Sequence, residues 1–299
     1  MRVVVSGASG FLGTALVRSL RADGHDVVRL VRRPARADDE AQWDPSAHRL
    51  EPTVLAGADA VVNLSGAAVG DHRWSESYKR QILDSRVDST TTIATTVAGL
   101  PDSQRPQVLL NQSASGYYGD TGEEAVDETG ASGEGFLADV VRRWEAATQP
   151  AADAGVRIVT PRSGVVLASG GGILAKMLPV FKLGLGGRLG SGRQWMSWIA
   201  LPDQIGAMRF LLDNDAVAGP VNLTAPEPVR NRDYTKSLAR AVHRPAVAVV
   251  PRFAVHAAFG GFADEGVFVS QRVIPSRLED AGFAFTYVDI DSALTALIT

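Results

Sequence analysis

The sequence predicts an α/β fold, a doubly wound parallel sheet with a small C-terminal lobe. Short apolar runs alternate with helix-patterned segments through the first half, and a glycine turn directly follows the first run. After about Gly164 the texture changes to glycine-rich loops, as in ASGGGILAKM and GLGGRLGSGRQW. Parallel neighbours need crossover connections, so repeated strand-helix-strand units place helices on both faces of one sheet.

Residues 3–6 form an apolar run ending in glycines, which predicts the first strand. Residues 14–21 have helical spacing, with Leu16, Val17 and Leu20 apolar and Arg18 and Arg21 polar. Further strands of the buried type are expected at 27–31, 60–64, 108–110 and 157–161, each pair separated by a segment with helix potential. Residues 1–165, completed by 200–227, are expected to make the sheet domain. Residues 166–199 and 228–299 make the small lobe, whose glycines serve either as loop turns alone or as a substrate-proximal surface.

Composition narrows the function classes. The chain has 299 residues, 45% of them hydrophobic, enough for a large core. Its 30 Lys and Arg nearly balance 33 Asp and Glu, for a net charge of -3, so neither nucleic acid nor an anionic membrane is an expected partner. No cysteine is present, which excludes disulfides and thiolate chemistry, and the five scattered histidines lack metal-site spacing, so no metal is expected. The chain opens directly on a strand and carries no apolar run of transmembrane length, so the expected compartment is the cytoplasm. The expected partner is a small-molecule substrate, and a homodimer stays open.

The sharpest motif is GASGFLG, with Gly7, Gly10 and Gly13 at the turn and Ser9, Phe11 and Leu12 among them. It follows a strand and opens a helix, the context that makes such a pattern a dinucleotide site. Gly7 allows the tight turn, Gly10 lets the backbone approach a pyrophosphate, and Gly13 lets helix pack on strand, with the helix N-terminus facing the phosphates. At the end of the second strand the sequence reads VVRLVRRP. Arg32 and Arg33 stand where an acid would take ribose hydroxyls, so a 2′-phosphate and hence NADP is expected, with no acid at that tip.

The glycine spacing resembles that of the short-chain dehydrogenase/reductase superfamily, as do VVNLSGAAVG and LLNQSASGYYGD. HRWSESYKRQILDSRVDSTT, the PRSGVVLASGGGILAKM region, VNLTAPEPVRNRDYTKSLARAVHRPA and RLEDAGFAF resemble one atypical, extended branch: epimerase-family proteins related to nucleoside-diphosphate-sugar epimerases. The resemblance covers essentially the whole chain and implies a Rossmann-like fold that binds NADP. It places Leu64, Ser65 and Gly66 beside the adenosine and ribose, and suggests that Gln81 and Arg86 contribute to the cofactor pocket.

In the wider superfamily a Ser polarises the substrate carbonyl, a Tyr transfers the proton, and a Lys four residues on lowers the Tyr pKa while holding the nicotinamide ribose. Ser113 fits the serine position, with Ser115 second. The helix GEGFLADVVRRWEAA carries neither Tyr nor Lys: the positions fall on Phe136 and Val140, or on Leu137 and Val141. Without an ammonium nearby a Tyr keeps its ordinary pKa near ~10 and is a poor acid or base at neutral pH. Tyr117 and Tyr118 are substitute candidates, with Arg162 or Lys176 as a perturbing neighbour, or else they are wall residues. His72, Arg73 and Trp74 lie in a loop past a strand end, and Ala200 stands where a His often precedes the acid, here Asp203.

Two function classes follow. One is an oxidoreductase or epimerase acting on a carbonyl or sugar-nucleotide-like substrate, favoured by a cleft-forming lobe with Arg188, Arg193 and Trp195. The other is a non-catalytic NADP(H)-binding regulatory or interaction protein, favoured by the apolar helix.

Overall fold

The structure is a computed structural model that describes residues 1–298. Seven parallel strands make the central sheet: β1 Arg2–Ser6, β2 Asp26–Val31, β3 Glu40–Gln42, β4 Ala60–Asn63, β5 Val108–Asn111, β6 Arg157–Ser163 and β7 Gly219–Leu223. Their spatial order is β7-β6-β5-β4-β1-β2-β3, and the short strand Ser113–Ala114 extends the sheet by pairing with β6. The direction of winding reverses between β1 and β4, which opens a crevice above their carboxyl ends.

Both sheet faces are buried, which is why the strands read as continuous apolar runs. Side chains alternate between two cores. Val3, Val5, Val62 and Leu110 pack on one face against α1, Phe11–Ala22, and α4, Leu201–Asp213. Val4, Leu30, Val61 and Leu109 pack on the other against α2, Glu76–Ala98, through Ile93, Ala94 and Val97. A further crossover helix, α3, Phe136–Ala146, lies between β5 and β6. Each expected strand is present; four run one or two residues past their expected bounds, where polar residues continue the ladder, and β4 stops at Asn63, one residue short of its expected end.

A third core, including Leu174, Leu178, Phe181, Trp198, Tyr234, Leu238 and Leu294, builds the C-terminal lobe. The lobe is tied down by short pairings, among them Val165–Ala168 with Trp198–Ala200 and Arg272–Val273 with Ala125–Val126. No helix among the described residues is long and apolar enough to cross a membrane.

Packing leaves no room at one glycine. A Cβ on Gly13 would stand 2.2 Å from the Gly7 carbonyl oxygen and 2.7 Å from the Ala8 Cα, both backbone. Gly13→Ala is therefore expected to lower stability by about 1–3 kcal/mol, the usual range for overpacking. Gly170→Ala, with nothing within 4 Å of the added carbon, should stay within about 0.5 kcal/mol of wild type in urea denaturation.

Candidate functional site

The carboxyl ends of β1, β4 and β5 carry Ser6, Asn63 and Asn111 in register. All three are buried and bonded to one another: Ser6 Oγ donates to Asn63 Oδ1 at 2.5 Å, and Asn63 Nδ2 donates to Asn111 Oδ1 at 2.7 Å and to Thr90 of α2 at 2.9 Å. Ser65 joins them through its amide to Asn63 and its hydroxyl to Ser6. Polar side chains that break the apolar runs thus form a bonded floor for the crevice.

On this floor sits the glycine turn. Gly7 has φ +66°, and a Cβ there would meet the Leu64 carbonyl oxygen at 2.6 Å, so the β1 and β4 turns touch through a position only glycine fills. Gly10 is the N-cap of α1 and offers no side-chain cap, leaving the first amides of the helix without side-chain partners. An anion fits such an N-terminus. Ser9 and Phe11 are exposed and Leu12 is half-buried. Phe11 reaches the lobe: Cβ atoms on Gly171 and Gly172 would stand 2.5 Å and 3.4 Å from its ring, so at least these two glycines of the glycine-rich segment make room for a side chain at the turn.

The tip of β2 departs from expectation in one respect, because acids reach it from β3. Glu40 takes Arg33 in a two-pronged ion pair, both contacts 2.7 Å, and this hydrogen bond, with the Arg36 amide, pulls the Glu40 carboxyl down to about 2. Asp39 binds Arg29 and Arg21 in the same way and is also lowered to about 2. Arg32 is exposed and has no hydrogen bond or ion pair among the described residues. Arg32 therefore keeps a free guanidinium directly at the strand tip.

The corner above β5 and β6 is a closed network. Glu145 of α3 binds Arg162 of β6 through two 2.8 Å hydrogen bonds, and Ser113 Oγ donates to the same carboxylate at 2.6 Å. Arg162 donates to the Tyr118 hydroxyl at 3.1 Å, which donates to Asn222 of β7 at 2.8 Å. The Tyr117 ring lies flat against Arg162, with Cζ 3.4 Å from its centroid. Burial would lower the guanidinium, but the hydrogen bonds and charge of Glu145 outweigh it and hold Arg162 above its ordinary value. Burial pushes the Tyr118 hydroxyl above the ordinary phenol range, against the opposing charge of Arg162. Ser115 points elsewhere, donating to Gln271 of the lobe at 3.0 Å.

Residues 3–223 match the NAD dependent epimerase/dehydratase family, and residues 250–297 match a domain of unknown function (DUF1731). The chain belongs to the NAD-dependent epimerase/dehydratase family. An epimerase family protein of Mycobacterium bovis is 46% identical over 98% of this chain and 96% of its own length. The human epimerase family protein SDR39U1, solved with NADPH, is 33% identical with a TM-score of 0.91, covering 100% of this chain and 99% of that one. A nucleoside-diphosphate sugar epimerase of Corynebacterium glutamicum is 34% identical with a TM-score of 0.82, over 100% of this chain and 58% of that one.

In this epimerase-family chain the two registers of α3 face different neighbours. Leu137, Val141 and Glu145 follow one another at four-residue spacing; a Cβ on Gly116 would lie 3.6 Å from Leu137 and 4.0 Å from Val141. That stripe faces the Ser115–Tyr118 turn and ends on Arg162. Phe136, Val140 and Trp144 make the neighbouring stripe, toward α2: Lys79 lies 5.5 Å over Phe136 and Arg86 lies 5.0 Å over Trp144. Gln81, also on α2, is exposed.

Most of the other candidates have structural partners, several of them between the sheet domain and the lobe. Arg73 donates to the Ala257 carbonyl, Trp74 packs on Phe136 and Phe262, His72 packs on Tyr78, and Lys176 pairs with Asp71. Trp195 is flanked by Arg230 and Arg272 and donates to Glu123, while Arg188 bonds the Gly190 carbonyl. The Arg193 carbonyl accepts from Arg230. Asp203 accepts the amides of Thr286 and Tyr287, and Ala200 is the buried N-cap of α4. Sequence reasoning passed over Glu145, Asn222 and Glu265. Glu265 accepts the Leu137 amide at 2.8 Å across the two lobes, and only the Trp-Glu pair closing the apolar helix hinted at the first of them.

Glu145→Ala leaves Arg162 buried without its counter-charge and is expected to destabilise by about 3–5 kcal/mol in urea denaturation. Alkaline pH should also lower stability. The folded state holds the Tyr118 proton above the ordinary phenol pKa, so stability is lost as pH rises through ~10, where the unfolded chain releases it. In Tyr118→Phe that fall should be shallower between neutral pH and pH 11, measured by denaturation at each pH.

Proposed function

We propose that this chain is an NADP(H)-binding oxidoreductase or epimerase-like protein that acts on a carbonyl or sugar-nucleotide-like substrate without a Tyr-x-x-x-Lys pair. The observation that carries it is the cradle at Gly7: a turn that backbone alone fills, opening on a helix start with no side-chain cap, with Arg32 free at the next strand tip. Gly7, Ser9, Gly10, Phe11, Leu12 and Gly13 would surround the phosphates. Arg32 would take the 2′-phosphate, and Leu64, Ser65, Gly66, Gln81 and Arg86 would line the remaining length. The NADPH bound by human SDR39U1 supports the phosphorylated nucleotide.

When bound, a nicotinamide cofactor supplies hydride transfer. The chain's own residues position the substrate, and Tyr117, whose hydroxyl has no hydrogen-bond partner among the described residues, is the candidate left to polarise a carbonyl. Ser113 and Tyr118 are held in the Glu145–Arg162 network, so they order the corner beside a substrate while their protons stay within it. The apolar Leu137 and Val141 exclude water from that corner.

The same network favours a second reading, a non-catalytic NADP(H)-binding protein, because it leaves Ser113 and Tyr118 without a free proton to exchange. Turnover separates the two: absorbance at 340 nm falling when NADPH and a carbonyl compound are mixed with the protein marks the enzyme.

Cofactor choice is tested by calorimetry. NADPH should bind roughly 10- to 100-fold tighter than NADH, the worth of a charge-assisted hydrogen bond. Arg32→Ala should remove most of that gap, and Arg33→Ala much less, because Glu40 already neutralises it. Equal affinities in the wild type would sink the assignment.

A further inference from the structure

Charge is not spread evenly over this chain. Its net charge of -3 makes an anionic membrane an unexpected partner only if acids and bases mix throughout. In the lobe they do not: residues 164–202 and 234–263 hold eight Lys and Arg and no Asp or Glu, so the other 22 Lys and Arg share the sequence with all 33 acids. The same two stretches carry eight of the eleven large hydrophobic side chains exposed among the described residues.

Strand pairing brings the two stretches together. Gly187–Leu189 runs parallel to Ala248–Val250, with Gly187 opposite Ala248. In a parallel pair the segments that precede the strands lie side by side. Leu183 and Leu185 therefore come beside Val247, and Arg244 Nε donates to the Lys182 carbonyl at 3.2 Å. Phe253 follows at the start of the helix Arg252–Phe259. Leu183 is 74% exposed, Leu185 67%, Val247 89% and Phe253 76%. Ala248–Val250 has no second neighbouring strand among the described residues, so this apolar edge stays open. Lys182 and Arg244 are exposed beside it, and neither has a carboxylate partner among the described residues.

Bulky apolar side chains grouped in water on a folded segment mark a surface that binds something. The charge says what. A second copy docked on this face about a two-fold axis would bring two acid-free, cationic faces together. An anionic bilayer satisfies both features: apolar side chains enter the boundary between headgroups and acyl chains, while Lys and Arg stems reach back to the phosphates. We propose that this face of the lobe docks on an anionic lipid surface, with Leu183, Leu185, Val247 and Phe253 entering the boundary and Lys182 and Arg244 meeting headgroup phosphates. The contact is attachment to a surface, since no described helix is long and apolar enough to cross.

Sedimentation of the full chain with lipid vesicles tests this. At low ionic strength the protein should pellet with vesicles of phosphatidylcholine containing roughly one-third phosphatidylglycerol, and stay in solution with phosphatidylcholine alone. Removing two cations, Lys182→Gln with Arg244→Gln, should weaken binding roughly 30-fold. Leu183→Ser with Phe253→Ser, both at exposed positions and expected to melt like wild type, should weaken it roughly tenfold or more. Protein that ignores the anionic vesicles overturns the proposal. So does binding that the Ser pair leaves unchanged, since charge alone would then account for it. A wild-type dimer in size-exclusion chromatography that Phe253→Ser converts to monomer, without vesicle binding, assigns the face to a second copy and overturns it as well.

Discussion

A buried ion pair governs this molecule. Glu145 comes from α3 and Arg162 from β6, and together they gather Ser113 after β5, the Tyr117 and Tyr118 rings, and through Tyr118 the Asn222 of β7. Four segments far apart in sequence are fixed by one carboxylate and one guanidinium. Such a pair is a poor source of net stability, since desolvation offsets most of its attraction, but breaking it strands a charge in the interior. Its effect is to specify how α3 lies on the sheet, and therefore which of its stripes faces the crevice.

Once α3 is set, the rest of the crevice follows. The stripe of Leu137 and Val141 faces the Ser115–Tyr118 turn, and the stripe of Phe136 and Trp144 meets Lys79 and Arg86 of α2. The N-terminal end of α3 is held by Glu265 of the lobe, at a glycine, Gly135, whose φ of +100° and missing Cβ leave room for that carboxylate. The C-terminal lobe thus docks on the same helix that the ion pair orients. Trp74 and Phe262 complete the contact from the β4 side.

The two ends of the crevice differ in electrostatic design. At the corner the Glu145–Arg162 charges are matched and the Ser113 and Tyr118 hydroxyls are bonded internally, while the Tyr117 hydroxyl has no hydrogen-bond partner among the described residues. At the other end, and midway along, single guanidinium groups are left over: Arg32 where Glu40 and Asp39 neutralise its neighbours, and Arg86 where only carbonyls meet it. Uncompensated cations along one groove favour an extended anionic ligand.

The sequence by itself determined the sheet, the glycine turn and the family, because these depend on local and periodic features: valine runs, a strand-turn-helix junction, glycine at a backbone contact. It also determined that α3 lacks Tyr and Lys. Only the tertiary structure decided what that absence means. Residues four apart lie on one helical stripe, but which stripe faces the crevice depends on Glu145 meeting Arg162, a contact across 17 residues that no local pattern encodes. Likewise VRRP shows two arginines, and a strand paired in from residue 40 decides that one is neutralised and one is free. Charges act through space, so the partner that cancels a charge is set by strand pairing and not by the neighbouring residues in the chain.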